Sequence, residues 1–432
     1  MLLHLRRRAL RLAALTAGIG SLAAGLAACG PGTGAAGGTA CGPASSAAPG
    51  VTPTEVRAGM TWSDTGPAAD STRAFRAGVD ARLDVANDAE GGVFGRRVSY
   101  AWRDDQADPR VHLTNVQELL DQEHVFGFLD GSGAGGESAD LLQQRGVPVT
   151  GPADDPSWLG RNNMFSWFYQ GDGSSTAWGK YVYEQGGTRA AIFAIDTSAP
   201  SEDFTQQFGA SLKARGVKVV RTFQTSSAIA DYATVARQLK AANVDVIGGA
   251  LLPETAAGLL TELRKIGVAL GGRLKVVLLP QGYDGSNLTR YGPALAGVSL
   301  FTSIRPFELD TPGQQRFREA MNTYSPEIQP ATQDSAVDGW LAADLFVRGL
   351  REAGPCPTRE SFITGLRGVK DYDSAGMTPQ DTISLSTNYQ NVSVCYGVIR
   401  VSRAGDAFEP DTQPECGVVI TRERMDVLNQ QP

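Results

Sequence analysis

Histidine is scarce, with three in 432 residues, and no CxxC, HExxH or GxSxG sequence occurs anywhere in the chain. The spacings on which many zinc sites, zinc peptidases and serine hydrolases are built are therefore missing. Past residue 28 there is no apolar run of the ~20 residues that a membrane-spanning helix needs. Surplus positive charge is lacking too, with 39 Lys and Arg against 46 Asp and Glu. A net-negative chain carries no electrostatic footprint for nucleic acid or for an anionic membrane surface.

What is present begins at the first residues. Arg6, Arg7, Arg8 and Arg11 precede a small, apolar stretch over residues 12–28 that ends in Leu26-Ala27-Ala28-Cys29. This is the pattern of a lipobox: small residues before the cut, then a thiol that takes a diacylglycerol. Residues 1–28 are expected to be a lipoprotein signal peptide, with Cys29 as the lipidation site. Acyl chains at ~0.8 kcal/mol per buried CH2 would hold the mature chain to the extracytoplasmic face of the cell membrane. Residues 29–53 are mostly Gly, Ala, Pro, Ser and Thr and read as a flexible tether. Without the four arginines of the signal peptide, the 39 basic groups become 35 against the same 46 acids.

Besides Cys29 there are Cys41, Cys356, Cys395 and Cys416. An even number in an oxidising compartment points to two disulfides, with three pairings open. Cys395 and Cys416 flank the turn at residues 403–406, and a bond between them would leave Cys41 to join Cys356. No metal site is expected, because His112 and His124 lie far in sequence from these thiols.

The body alternates strand and helix. Strands are expected at 56–61, 97–102, 125–129 and 147–150, interleaved with helices at 71–87, 111–123 and 137–144. The beat restarts with strands at 190–195, 217–223, 244–250 and 275–279 between helices at 202–215, 232–242 and 254–266. Helices follow at 313–324, 334–353 and 359–366, and strands close the chain at 392–401 and 417–421. Repeated βα units predict an α/β protein with two Rossmann-like lobes, each on a parallel sheet, and a cleft between them.

Residues 131–136, Gly-Ser-Gly-Ala-Gly-Gly, match GxGxxG after a strand and before a helix. A dinucleotide site would use such glycines to bring backbone close to a pyrophosphate. Against that reading, the run sits in the third βα unit of an exported chain, and the acids that follow, Asp154 and Asp155, stand in a Pro-bracketed loop. It fits better a turn that offers N–H groups to a ligand. No cofactor and no enzymatic turnover are expected. Ligands of doubly wound sheets bind beyond the carboxyl ends of the strands, where Trp62, Ser132, Thr150, Asp196, Pro253 and Tyr283 fall.

Three stretches carry a resemblance. Residues 61–69, Thr-Trp-Ser-Asp-Thr-Gly-Pro-Ala-Ala, are followed by Gly91-Gly92-Val93-Phe94-Gly95-Arg96-Arg97 and by Asp104-Asp105-Gln106-Ala107-Asp108-Pro109. Together with Val147-Pro148-Val149 and the helix that begins at Asp231-Tyr232, they resemble the branched-chain amino-acid-type periplasmic binding proteins over residues 54–401. The resemblance implies a type I (Venus-flytrap) fold joined by a hinge. It implies a monomer that passes a small molecule to the permease of an ABC importer and touches the membrane only through its lipid anchor. It also implies an N-terminal lobe of residues 54–168 plus 304–375 and a C-terminal lobe of residues 169–303 plus 376–432. Carried onto this chain, the ligand positions are Trp62, Ser63, Ser132, Gly133, Thr150, Gly151 and Asp155 on the first lobe. On the second they are Asp196, Ser201, Pro253, Gln281 and Tyr283. One serine, Ser132, stands where amino-acid binders keep several hydroxyls, and Asp154-Asp155 lie near the place of a threonine that holds the ligand carboxylate. An ionised Asp there repels a carboxylate, so a cationic, amide or neutral polar ligand is expected. Rival readings are a sensor of the same fold, an exported dinucleotide enzyme and an inert envelope scaffold.

Overall fold

The computed structural model describes residues 48–195, 199–225 and 229–431, without the side chains of residues 199–201. Cys29, Cys41, the signal peptide, Asp196 and the side chain of Ser201 lie outside them.

Five strands form the first sheet: β1 (Glu55–Trp62), β2 (Arg97–Asp104), β3 (Phe128–Gly131), β4 (Val149–Thr150) and β5 (Met164–Phe165). They are all parallel, in the order β2-β1-β3-β4-β5. A parallel sheet needs helices on both faces, which is why its strands read as nearly continuous apolar runs. One face packs on Phe75–Asp84 and Asp334–Ala353 through Val79, Phe346 and Leu341; the other packs on Pro109–Asp121 and Gly136–Gln144 through Val116, Leu119 and Leu142. Helix starts follow local chemistry. Asp108 caps Pro109–Asp121 by accepting from Arg110 and Val111 N–H, with Pro109 where no N–H is needed.

A short strand β6 (Ser174–Ser175) opens the second lobe. Its main sheet contains β7 (Arg189–Ile195), β8 (Lys218–Thr225), β9 (Val246–Gly249), β10 (Val276–Leu279), β11 (Ser299–Thr302), β12 (Cys395–Val401) and β13 (Phe408–Pro410). The order is β13-β12-β11-β10-β9-β7-β8, parallel up to β11 and antiparallel at β12 and β13. The remaining pieces are β14 (Glu415–Cys416), which pairs with β12, and β15 (Val419–Ile420), which pairs with β6. Cys395 and Cys416 are disulfide-bonded across the β12–β14 pair, and Cys356 is disulfide-bonded as well. Among the described residues no helix is long and apolar enough to cross a membrane.

The chain passes between the lobes three times, and the crossings are tied together. Tyr169 N–H donates to Ser393 Oγ at 2.9 Å and Ser393 N–H to Tyr169 O at 2.9 Å. Arg305 N–H donates to Met377 O at 2.7 Å. Phe168 packs against the cores of both lobes. Two expected boundaries move. The C-terminal lobe was to resume at 376, yet Met377, Ile383 and Leu385 are buried in the first lobe's core, so the last crossing comes later. The tether was to run to 53, yet Ala48 and Val51 pack on that same core and Gly50 O accepts from Arg57 N–H at 2.8 Å. Apolar contact, which composition alone hides, fixes both.

Candidate functional site

A cavity of about 400 Å³ lies where the three crossings meet the strand ends of the second lobe. Its floor is Phe168 to Gly171 and Ser174-Ser175 from one crossing, Thr302-Ser303 from another, and Ser393 and Tyr396 from the third. Pro280 to Tyr283, just past β10, form one wall together with Phe204 and Gln207. Asp334, at the start of the first lobe's longest helix, stands in the lining too. Such a volume is ordinary for a site that holds a small organic molecule.

Two of the expected ligand residues, Gln281 and Tyr283, line this cavity. Tyr283 is not free to donate, because its hydroxyl gives its proton to Glu308 and accepts from Phe307 N–H at 2.7 Å. Pro253 supports the wall indirectly: a Cβ at Gly282, whose φ is +115°, would lie 2.6 Å from the Pro253 ring.

The first-lobe residues sit at their strand ends but are largely committed inside that lobe. Trp62 is 1% exposed and tilts against Trp102, ring centroids 4.8 Å apart. Ser63 donates to Asp105 at 2.7 Å, and Ser132 Oγ accepts from Ala134 N–H at 3.0 Å. Thr150 is fully buried, with its hydroxyl 3.4 Å from Phe128 O. Gly151 is the close-approach glycine of the group, since a Cβ there would fall 1.9 Å from Asp130 O. Gly133 faces open space. Asp155 caps a short turn by accepting from Ser157 N–H at 2.7 Å.

The glycine run also answers the dinucleotide reading. A Cβ at Gly136 would meet the Asp155 carboxylate at 2.9 Å, and one at Gly135 would meet Asp130 at 3.2 Å. Negative charge already stands where a pyrophosphate would need to come. Beneath it, His112 is fully buried and lies 3.5 Å from Asp130 and 3.2 Å from Thr61 Oγ. Burial works to lower the imidazole's pKa, but Asp130, helped by Asp105 and Asp155, outweighs it and the net shift is upward. This group braces the loop from below.

Three acids were not singled out as a group by the sequence: Asp154, Asp334 and Asp338. Asp154 and Asp334 are both solvent-exposed, and Asp334 lines the cavity. Partial desolvation by the surrounding protein raises the Asp334 pKa to about 7, with Asp284 of the second lobe adding its charge. It pushes Asp154 up to about 6, with Asp130 adding. Asp338, one turn along from Asp334, is held well above the usual carboxylate range by burial and by the charges of Asp154 and Asp334. Asp154 follows Ala153, whose backbone pairs with Tyr169 of the cavity floor.

Comparison with known proteins bears on what this arrangement is for. A family model described as "Periplasmic binding protein" matches residues 55–406. A curated relative, the Leu/Ile/Val-binding protein homolog 2 of Brucella abortus, is 24% identical over 217 residues, 49% of this chain and 57% of that protein. The chain thus spans little more than half the length of the curated relatives it matches. A putative branched-chain amino acid ABC transporter protein from Rhodospirillum rubrum superposes with a TM-score of 0.66 at 22% identity, over 83% of this chain and 100% of that one. A branched-chain amino acid ABC transporter protein from Thermus thermophilus with bound valine gives 0.65 at 19% identity, over 84% and 97%. At these identities the structures testify to the fold.

Proposed function

Because the chain belongs to the periplasmic binding protein family, we propose that it is an extracytoplasmic receptor that captures a small polar organic molecule and hands it to the permease of an ABC importer. Cys29 anchors it, and it acts as a monomer. The observation that carries this reading is the cavity itself: it is bounded by both lobes and all three crossings, and it opens at strand ends where doubly wound sheets take ligands. The relatives' names, among them a transporter protein with bound valine, support the same class of activity.

Capture follows from the geometry. With the lobes apart, the cavity is half a site on each. A ligand that touches both gains contacts only in the closed arrangement, and that difference shifts the population toward closure. Micromolar affinity needs about 8 kcal/mol net, within reach of a few desolvated hydrogen bonds and an apolar wall. The closed form is then what the permease recognises.

Thermal unfolding with amino acids, amides, amines and aromatic acids tests the reading. A true ligand at a hundred times its Kd stabilises by about 2.7 kcal/mol. Gln281→Trp, which fills the cavity from an exposed wall position, should keep the ligand-free midpoint and lose the ligand-induced rise. A rise that survives this substitution, or no rise with any compound, would count against capture at this site.

A further inference from the structure

The cavity and the fold define the site; its lining decides what it takes. Among the described residues, no Lys, Arg or His lines it. An anion entering here would meet no opposite charge. Its donors are neutral: Gln170, Gln281 and Ser303 line it, while others are already committed to the protein. Tyr283 donates to Glu308, Ser174 donates to Gln207 O at 2.8 Å, and Gln207 donates to Gly171 O at 2.8 Å.

Acidic charge, by contrast, is present. Asp334 faces the cavity, Asp338 is on the same face of the helix one turn on, and Asp154 follows the residue that pairs with the cavity floor. The charges acting on Asp338 are Asp154 and Asp334, and the one acting on Asp334 is Asp284, so like faces like. Among the described residues no three acidic, histidine or cysteine side chains converge closely enough to hold a metal ion. The lining also holds the partly open rings of Phe168, Phe204 and Tyr283, together with Trp178, Phe301 and Tyr396. Aromatic faces attract cations electrostatically while burying apolar surface.

We propose that the captured molecule is an organic cation: an ammonium group carried on an aryl or alkyl frame, its charge toward Asp334 and its frame against the rings. This rests on the receptor reading above and specifies its ligand. An amino acid's carboxylate would find only neutral donors in such a lining, which favours a cation without one.

Three probes with one ring and three charges test it: benzylammonium, benzamide and benzoate, titrated calorimetrically into the mature chain at pH 8. Benzylammonium should bind at least tenfold more tightly than benzamide, and benzoate not measurably. Asp334→Asn should weaken benzylammonium at least tenfold, whereas Asp140→Asn, at a surface pair with Arg161, should leave it unchanged. Asp338→Asn provides the same test if the first variant does not fold. If benzamide or benzoate binds as well as benzylammonium, and Gln281→Trp abolishes it, the cation is overturned while the receptor stands. If benzylammonium, choline and putrescine all fail to bind, the proposal is overturned too, and the receptor reading then depends on the wider panel above.

Discussion

Gly339→Ala is expected to destabilise the protein by about 3 kcal/mol, although it replaces the poorer helix former with the best one. Gly339 lies in the second turn of Asp334–Ala353, where that helix crosses Phe75–Asp84. A Cβ added there would sit 1.9 Å from Phe75 O, and one added at Gly78 on the facing helix would sit 1.9 Å from Ala336 O. Both obstacles are backbone atoms, so no side chain can turn aside. Propensity alone would favour alanine by up to ~1 kcal/mol. The sign of the change therefore separates the two effects. Urea denaturation should show a lower midpoint with an unchanged slope. A stabilised variant would mean that the helices do not meet this closely, and Asp334 and Asp338, carried on one of them, would lose their assigned place.

Trp62→Ala should cost about 3–5 kcal/mol, the range for emptying a large aromatic from a core. The indole is 1% exposed, leans on Trp102, and has the Arg76 guanidinium 5.9 Å from its ring centre. Its position at the end of β1 made it a ligand candidate in the sequence; its packing makes it a core residue of the first lobe. Trp62→Phe preserves most of the packing, so it should retain stability and ligand binding together. The opposite pattern would be Trp62→Ala leaving the denaturation midpoint in place while binding falls more than tenfold. That would put the indole on the cleft surface.

These two residues illustrate what a sequence can and cannot disclose. The βα beat was legible because apolar periodicity is local: Asp334–Ala353 appears with the expected bounds, and β1, β2 and β7 fall within two residues of theirs. The helix Gly285–Leu295, with Gly292 and Pro293 inside it, and the four-residue β11 escaped notice because short or interrupted patterns carry little periodic signal. The site was legible only in part. Tyr283 followed from the rule that ligands gather at strand ends, and Gln281 from the family resemblance. Ser174 and Gln207 meet inside the second lobe, and Asp334 joins them from the first only because the chain crosses back between lobes. In the sequence, Asp334 and Asp338 look like the solvated face of an amphipathic helix. Only the fold reveals that this face looks into a cleft.

The account stands on one assertion, that the space between the lobes holds a guest. Equilibrium dialysis of the mature chain against a small-metabolite extract, with the retained fraction identified by mass spectrometry, asks this without choosing a ligand beforehand. One compound should be enriched, at one molecule per chain, and Gln281→Trp should not retain it. Enrichment of nothing, or equal retention by that variant, would contradict the account.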